Sequence, residues 1–134
     1  MPETAFAYGI RKTVPLTPDQ ADARVREELQ KEGFGVLTEI DVRATLKDKL
    51  DVDFRPYRIL GACNPALAHQ ALSAETDIGL LLPCNVIVYQ GEREGESVVA
   101  VLDPETQLSI TGRDDIAPLA REVRTRMERV LAAV

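Results

Sequence analysis

The chain has 134 residues, a common size for one domain, and can bury a full core without a metal ion or disulfide. Its formal net charge of -6 repels phosphate backbones and anionic lipids, so we expect neither nucleic acid nor a membrane as a partner. The N-terminus lacks the pattern of an export signal, which predicts a cytoplasmic protein whose two cysteines stay reduced.

The N-terminal segment predicts a strand followed by a helix. Residues Phe6 to Val14 alternate between apolar and polar side chains, as a half-buried strand does. Thr17 and Gln20 then have the spacing of a capping box around Pro18, a residue favoured in the first helical turn. We expect this helix to end at Gly33, because glycine readily adopts the left-handed conformation found after helices.

A second strand and a short helix are predicted next. Strict alternation divides the strand into two faces, one with Val36, Thr38, Ile40 and Val42 and one with Leu37, Glu39 and Asp41. In the segment 43–50, Leu46 and Leu50 lie four residues apart among charged residues, which favours a helix with one apolar edge.

The middle of the chain predicts a third strand, a helix and a central strand. The third strand covers Tyr57 to Ala62, and the pair Asn64-Pro65 is typical of a helix start, with the helix reaching about Ala74. The segment from Ile78 to Tyr89 is apolar on both faces, but Pro83 lacks an amide proton and should break or bulge the strand.

The C-terminal part predicts a hairpin partner and a covering helix. Ser97 to Leu102 should pair antiparallel with the preceding strand, and Asp103-Pro104 should end the hairpin. A final helix over about 116–133 carries an apolar stripe that includes Val123 and Met127. The whole chain, 1–134, is therefore predicted to be one two-layer α+β domain, with a mostly antiparallel sheet of about five strands covered by helices.

The only two thiols stand at the predicted breaks, in the pairs Cys63-Asn64 and Cys84-Asn85. If the third and fourth strands are neighbours, the two sulfurs can meet at one end of the sheet beside the two amides. Such a pocket can bind a thiophilic metal ion, form a reversible disulfide or hold a small ligand. Alternatively, each cysteine is a small buried hydrophobe.

Three other side chains affect what the thiols can do. Cys63 directly precedes a predicted helix, whose positive end would favour the thiolate. Glu39 lies in the middle of a strand, where burial would raise its pKa, although pairing with Arg43 or Lys47 is the simpler expectation. His69, the only histidine, falls on the solvent side of its predicted helix, which disfavours a Cys63-His69 dyad.

Three segments, 33–42, 57–65 and 80–86, resemble the uncharacterised family called domain of unknown function 302. The resemblance extends over nearly the whole chain. It implies a compact α+β domain, often a stand-alone bacterial protein, with no established activity. The matching positions carry no catalytic role with them, and they are Glu39, Gly61, Cys63, Pro65, Pro83 and Cys84.

These observations favour a non-catalytic binding module for a thiophilic metal ion or small ligand. Its candidate site residues are Cys63, Cys84, Asn64, Asn85 and Glu39, of which the two cysteines are the candidate metal ligands. A second hypothesis is a thiol-dependent enzyme or redox switch, with Cys63 as nucleophile and Cys84 as resolving thiol. A third is an interaction protein whose cysteines only pack, and a homodimer through a sheet edge or the helix layer is expected.

Overall fold

The computed structural model describes residues 3–134 as one antiparallel sheet with a helical layer. The strands are β1 (Thr4–Phe6), β2 (Gly9–Val14), β3 (Gly35–Asp41), β4 (Tyr57–Cys63), β5 (Cys84–Gln90) and β6 (Ser97–Leu102). The helices are α1 (Pro18–Lys31), α2 (Val42–Leu50), α3 (Pro65–Ala74), α4 (Pro104–Leu108) and α5 (Ala117–Ala133), with 3-10 helices at Thr76–Leu81 and Ser109–Thr111. The strand order β1-β2-β6-β5-β4-β3 confirms the predicted α+β fold, with six strands.

The extra strand comes from a hairpin at the N-terminus. The prediction of one strand from Phe6 to Val14 is wrong, because the chain turns at residues 7–8 and Phe6 pairs with Gly9. The Phe6 ring lies over Gly9, where a Cβ atom would approach Phe6 Cζ to 2.6 Å. Glycine therefore permits the close approach that closes this hairpin.

Helix α1 begins and ends where the capping signals predict. Thr17 Oγ1 accepts a hydrogen bond from the Gln20 amide at 3.3 Å, and the Thr17 amide donates to Gln20 Oε1 at 3.0 Å. Gly33 follows the helix with a φ of 84°. The inner side of α1 packs with α5 over one sheet face, burying Val25 and Leu29 completely.

A bulge in β3 changes the faces predicted from strict alternation. Val36 pairs with Ala62 and Thr38 pairs with Gly61, so Leu37 is an extra residue without a partner. Beyond the bulge, Glu39 shares the helix-covered face with Val36, and the prediction that grouped Val36 with Thr38 is wrong. The expelled Leu37 side chain is 67% exposed.

The apolar segment before Pro83 is not a strand. Residues Thr76–Leu81 form a 3-10 helix and β5 begins only at Cys84, so the predicted break at Pro83 is confirmed and the predicted strand from Ile78 is wrong. The buried Ile78 belongs to a second, smaller core with Ala71 and Leu108, which joins α3 to α4 and α5.

Helix α5 carries the predicted stripe, with Val123, Met127 and Val130 buried. Helix α4 was missed by the sequence reasoning, although Asp103 before Pro104 is a start signal: Asp103 Oδ1 accepts a hydrogen bond from the Glu105 amide at 3.0 Å. Within residues 3–134, no helix is both long enough and apolar enough to cross a membrane.

Candidate functional site

An apolar cavity of about 380 Å³ lies at the end of the sheet where β4 stops and β5 starts. This volume falls within the usual range of small-molecule sites. Helix α3 contributes Leu67 and Ala68, α5 contributes Leu119 and Val123, and α4 contributes Leu108. The cavity therefore separates the main core from the smaller helical core.

Both cysteines line this cavity. Cys84 pairs with Ala62 across β4 and β5, so Cys63 is the next residue along the neighbouring strand. The two strands are neighbours, which is the condition that the sequence analysis set for the two sulfurs to meet. Neither thiol is in a disulfide, and Cys84 also packs against the main core.

The two thiols are harder to ionise than an ordinary cysteine. Burial raises the pKa of Cys84 to about 11, and the nearby Cys63 thiolate would add to this shift. Burial also raises the pKa of Cys63. The predicted thiolate at Cys63 is therefore wrong, because desolvation by the apolar walls outweighs any effect of the α3 N-terminus.

Asn64 lies in the cavity wall, but its side chain is already committed to the fold. Its Oδ1 accepts a hydrogen bond from the Leu67 amide at 3.2 Å, which caps α3. Its Nδ2 donates to the backbone carbonyl of Glu32 at 3.4 Å, which ties the start of α3 to the end of α1. Asn64 therefore shapes the cavity without offering a free amide.

Gln107 of α4 also lines the cavity, whose wall is almost entirely apolar. Its Nε2 donates to the Leu81 carbonyl at 2.6 Å, which ties α4 to the 3-10 helix Thr76–Leu81.

The structure does not bring the other predicted residues to the cavity. Asn85 is exposed and lies outside the cavity lining, as does His69. Glu39 instead faces α1, where its carboxylate lies 3.2 Å from Arg26 Nη2 and 3.9 Å from Arg58 Nε.

Glu39 belongs to a charged cluster centred on the buried Asp22. Arg26 Nε donates to Asp22 Oδ1 at 2.7 Å, and Arg58 lies 3.5 Å from Oδ2 and 2.6 Å from Asp19. The five charges alternate in sign, although Asp22 Oδ2 is buried and accepts no hydrogen bond. Since every charge has an opposite charge beside it, we interpret this cluster as a structural network.

Sequence reasoning missed most of the cavity wall. Leu119 and Val123 were visible in the α5 stripe, but nothing local shows that α5 passes beside the cysteines. Among residues 3–134, no group of three or more His, Cys, Asp or Glu side chains is arranged to hold a metal ion. A soft metal would have to bind through the two sulfurs.

The fold and cavity define a small α+β protein with one antiparallel sheet and an apolar two-thiol site. The chain belongs to the family described as Domain of unknown function DUF302, whose model matches residues 10–134, and the resemblance predicted from the sequence is confirmed. It is similar to the structure "Crystal structure of uncharacterized conserved protein DUF302 from Bacillus stearothermophilus", with 27% identity and a TM-score of 0.86 over 96% of this chain and 98% of that chain. A comparison with curated proteins found no match.

Proposed function

We propose that the protein is a non-catalytic binding module that holds one small, largely apolar molecule in the cavity beside Cys63 and Cys84. The observation that carries this proposal is the 380 Å³ space itself, which is larger than ordinary packing defects and is walled by aliphatic side chains. A space of this kind excludes charged ligands because their desolvation would not be compensated.

The volume sets the size and affinity of the ligand. At about 30 Å³ for each water-sized group, the cavity accommodates roughly ten non-hydrogen atoms. A contribution of about 0.5 kcal/mol per atom then predicts a Kd of roughly 0.1–1 mM for a generic apolar molecule.

The polar groups in the wall narrow the ligand class. Neutral thiols are soft and polarisable, so Cys63 and Cys84 contact apolar atoms favourably. The wall offers almost no polar surface to a ligand. The best ligand is therefore an apolar molecule that needs no hydrogen-bond partner inside the cavity.

Nuclear magnetic resonance titration with 1-octanol tests the proposal, because this molecule has an apolar chain that can enter the cavity and a hydroxyl that can stay at its opening. We expect saturable shifts of the Leu67 and Leu119 methyl signals. The variant Ala68→Phe, which adds a ring to the cavity wall, should weaken binding at least about tenfold. The matched control is Ala66→Phe, since Ala66 is exposed on the same helix and lies outside the lining.

Absence of saturable shifts, or equal weakening in the two alanine variants, would overturn the proposal. The cysteines would then be read as packed core residues of an interaction protein.

A thiophilic metal ion is the second candidate ligand, supported by the position of both sulfurs on one cavity. Binding as thiolates requires loss of two protons from groups with raised pKa values, so copper(I) affinity should fall steeply as the pH decreases. Copper(I) titration of the reduced protein decides this. Affinity equal to that of the double variant Cys63→Ser, Cys84→Ser would exclude a metal site.

The redox or nucleophile hypothesis has weaker support. A reactive cysteine needs a lowered pKa, and burial shifts both thiols in the opposite direction. Measuring the rate of iodoacetamide alkylation at several pH values distinguishes the redox hypothesis from the binding module. Rapid alkylation of Cys63 at neutral pH would favour the redox hypothesis.

A further inference from the structure

The sheet has a second face, turned away from α1 and α5, which we call the open face. Residues paired across neighbouring strands share a face. One row of the open face runs through Ile40, Ile59, Ile87, Ala100 and Arg11. Beside it runs a row formed by Tyr57, Tyr89, Val98 and Thr13. At the edge of the first row, Ile40 is 48% exposed.

Aromatic residues concentrate on this face. The chain has only three tyrosines and three phenylalanines, and five of these six lie on the open face or its rim: Phe6, Tyr8, Phe54, Tyr57 and Tyr89. The Tyr57 and Tyr89 rings stack with centroids 5.2 Å apart. Tyr8, which packs edge-on against Phe6 at 4.9 Å, is 64% exposed.

Two arginines lie over aromatic rings of the open face. The Arg11 guanidinium lies 4.7 Å from the centre of the Phe6 ring, and that of Arg55 lies 5.9 Å from the centre of the Tyr89 ring. Tyrosine and arginine are the residues that most often dominate interface energetics. A surface of this composition is expected to bury against a protein partner.

The charge pattern indicates which partner. The chain has 22 acidic residues, yet neither row of the open face contains an aspartate or glutamate. Two copies with a net charge of -6 repel each other in general, but the two rows bring no carboxylate to the centre of a twofold contact. Carboxylates lie only at one rim, where Glu92 and Glu96 border the second row together with Arg55 and Arg93.

The dimensions also suit a second copy. The five longer strands, β2 to β6, are spaced about 4.8 Å apart and are each about 20 Å long, which gives a footprint of roughly 500 Å². The exposed rim side chains extend this area toward the roughly 800 Å² per partner of a standard interface. The sheet edges are less suitable, because β1 has three residues and β3 is bulged at Leu37.

We propose that the open face is a homodimer interface in which two copies pack their aromatic and isoleucine rows against each other about a twofold axis. The same patch serves both copies, as an isologous interface requires. The two rows lie away from the cavity walls that α3, α4 and α5 contribute, although Thr38, which shares the open face with Ile40, also lines the cavity.

Light scattering during size-exclusion chromatography at micromolar concentration tests the proposal. The wild-type protein should be a dimer, and Ile87→Lys should weaken dimerisation more than about 100-fold by burying a charge at the interface centre. The matched control is Ile110→Lys, because Ile110 is 74% exposed in a 3-10 helix away from the sheet and should leave the dimer intact.

Ile40→Lys provides a second test if Ile87→Lys does not fold, because the exposed Ile40 side chain tolerates a charge in the monomer. Monomeric Ile40→Lys with dimeric Ile110→Lys supports the proposal. A monomeric wild-type protein overturns the proposal of a homodimer. This holds even if the monomer binds another protein or single-stranded RNA. A dimer that survives both Ile40→Lys and Ile87→Lys also overturns it.

Discussion

Strand β4 has two different ends. At one end Arg58 joins Asp19, Asp22 and Glu39 in a network in which opposite charges lie together. At the other end Cys63 borders an apolar cavity with unfilled volume. The charged end thus has its partners within the chain, whereas the cysteine end has space for a molecule that the chain does not supply.

This difference shows that polar residues can stabilise a fold without forming a functional site. Ionisable residues attract attention as candidate catalysts, but the network around Asp22 is explained by the pairing of this buried carboxylate with Arg26 and Arg58. The cysteine end has few polar groups, and its distinguishing property is volume. We therefore assign stability to the charged end and binding to the cysteine end.

The largest expected effect concerns the charged end. The double variant Arg26→Met, Arg58→Met leaves the buried Asp22 without a cation, and should lower the free energy of unfolding by about 2–3 kcal/mol, allowing for partial solvent screening. Urea unfolding measures this loss. The separation of the two ends of β4 would be contradicted if this variant also changed 1-octanol binding, because the charged end would then affect the cavity.

Arg113→Met serves as the control for that variant. Arg113 forms an ion pair with Asp115 at 2.8 Å on the surface, with neither partner buried. Its removal should leave the free energy of unfolding almost unchanged, because water screens a pair this exposed.

The buried Cys84 thiol at the cysteine end should make the free energy of unfolding depend on pH. The folded Cys84 thiol stays neutral up to about 11, whereas the unfolded thiol ionises near its ordinary value of 9.0. Stability from this group is therefore fully present below pH 9 and is lost as the pH rises from about 9 to about 11, by roughly 3 kcal/mol. Urea unfolding across this range measures the loss.

Cys84→Ala identifies the thiol's share of that pH dependence. Burial also raises the pKa of Tyr57, which contributes a loss of stability in the same direction above pH 10. The difference between wild type and Cys84→Ala removes the tyrosine contribution. Parallel curves for the two proteins would contradict the assignment of a neutral, buried Cys84.

Local signals in the sequence were sufficient for much of the fold. The Thr17 capping box, the Asn64-Pro65 helix start and the stripe of α5 depend on neighbouring residues only, and all three are confirmed. The faces of β3 were not predictable in this way. The bulge at Leu37 depends on pairing with β4, which is a tertiary contact.

The candidate site could likewise be predicted only in part from the sequence. The sequence analysis expected Cys63 and Cys84 to meet only if their strands were neighbours; β4 and β5 do pair, and both cysteines line the cavity. Glu39 was expected at this site, but the β3 bulge directs its carboxylate to Arg26 on the helix side. The volume of the cavity results from the packing of α3, α4 and α5, which no short segment encodes.

Xenon binding in crystals tests the central claim most directly, because xenon enters apolar cavities and its position is seen by anomalous scattering. The account predicts a xenon atom among Leu67, Leu119 and Cys84 in the wild type and in Ala66→Phe, with loss of occupancy in Ala68→Phe. A cavity filled by its own side chains, with no xenon beside the two thiols, would contradict it.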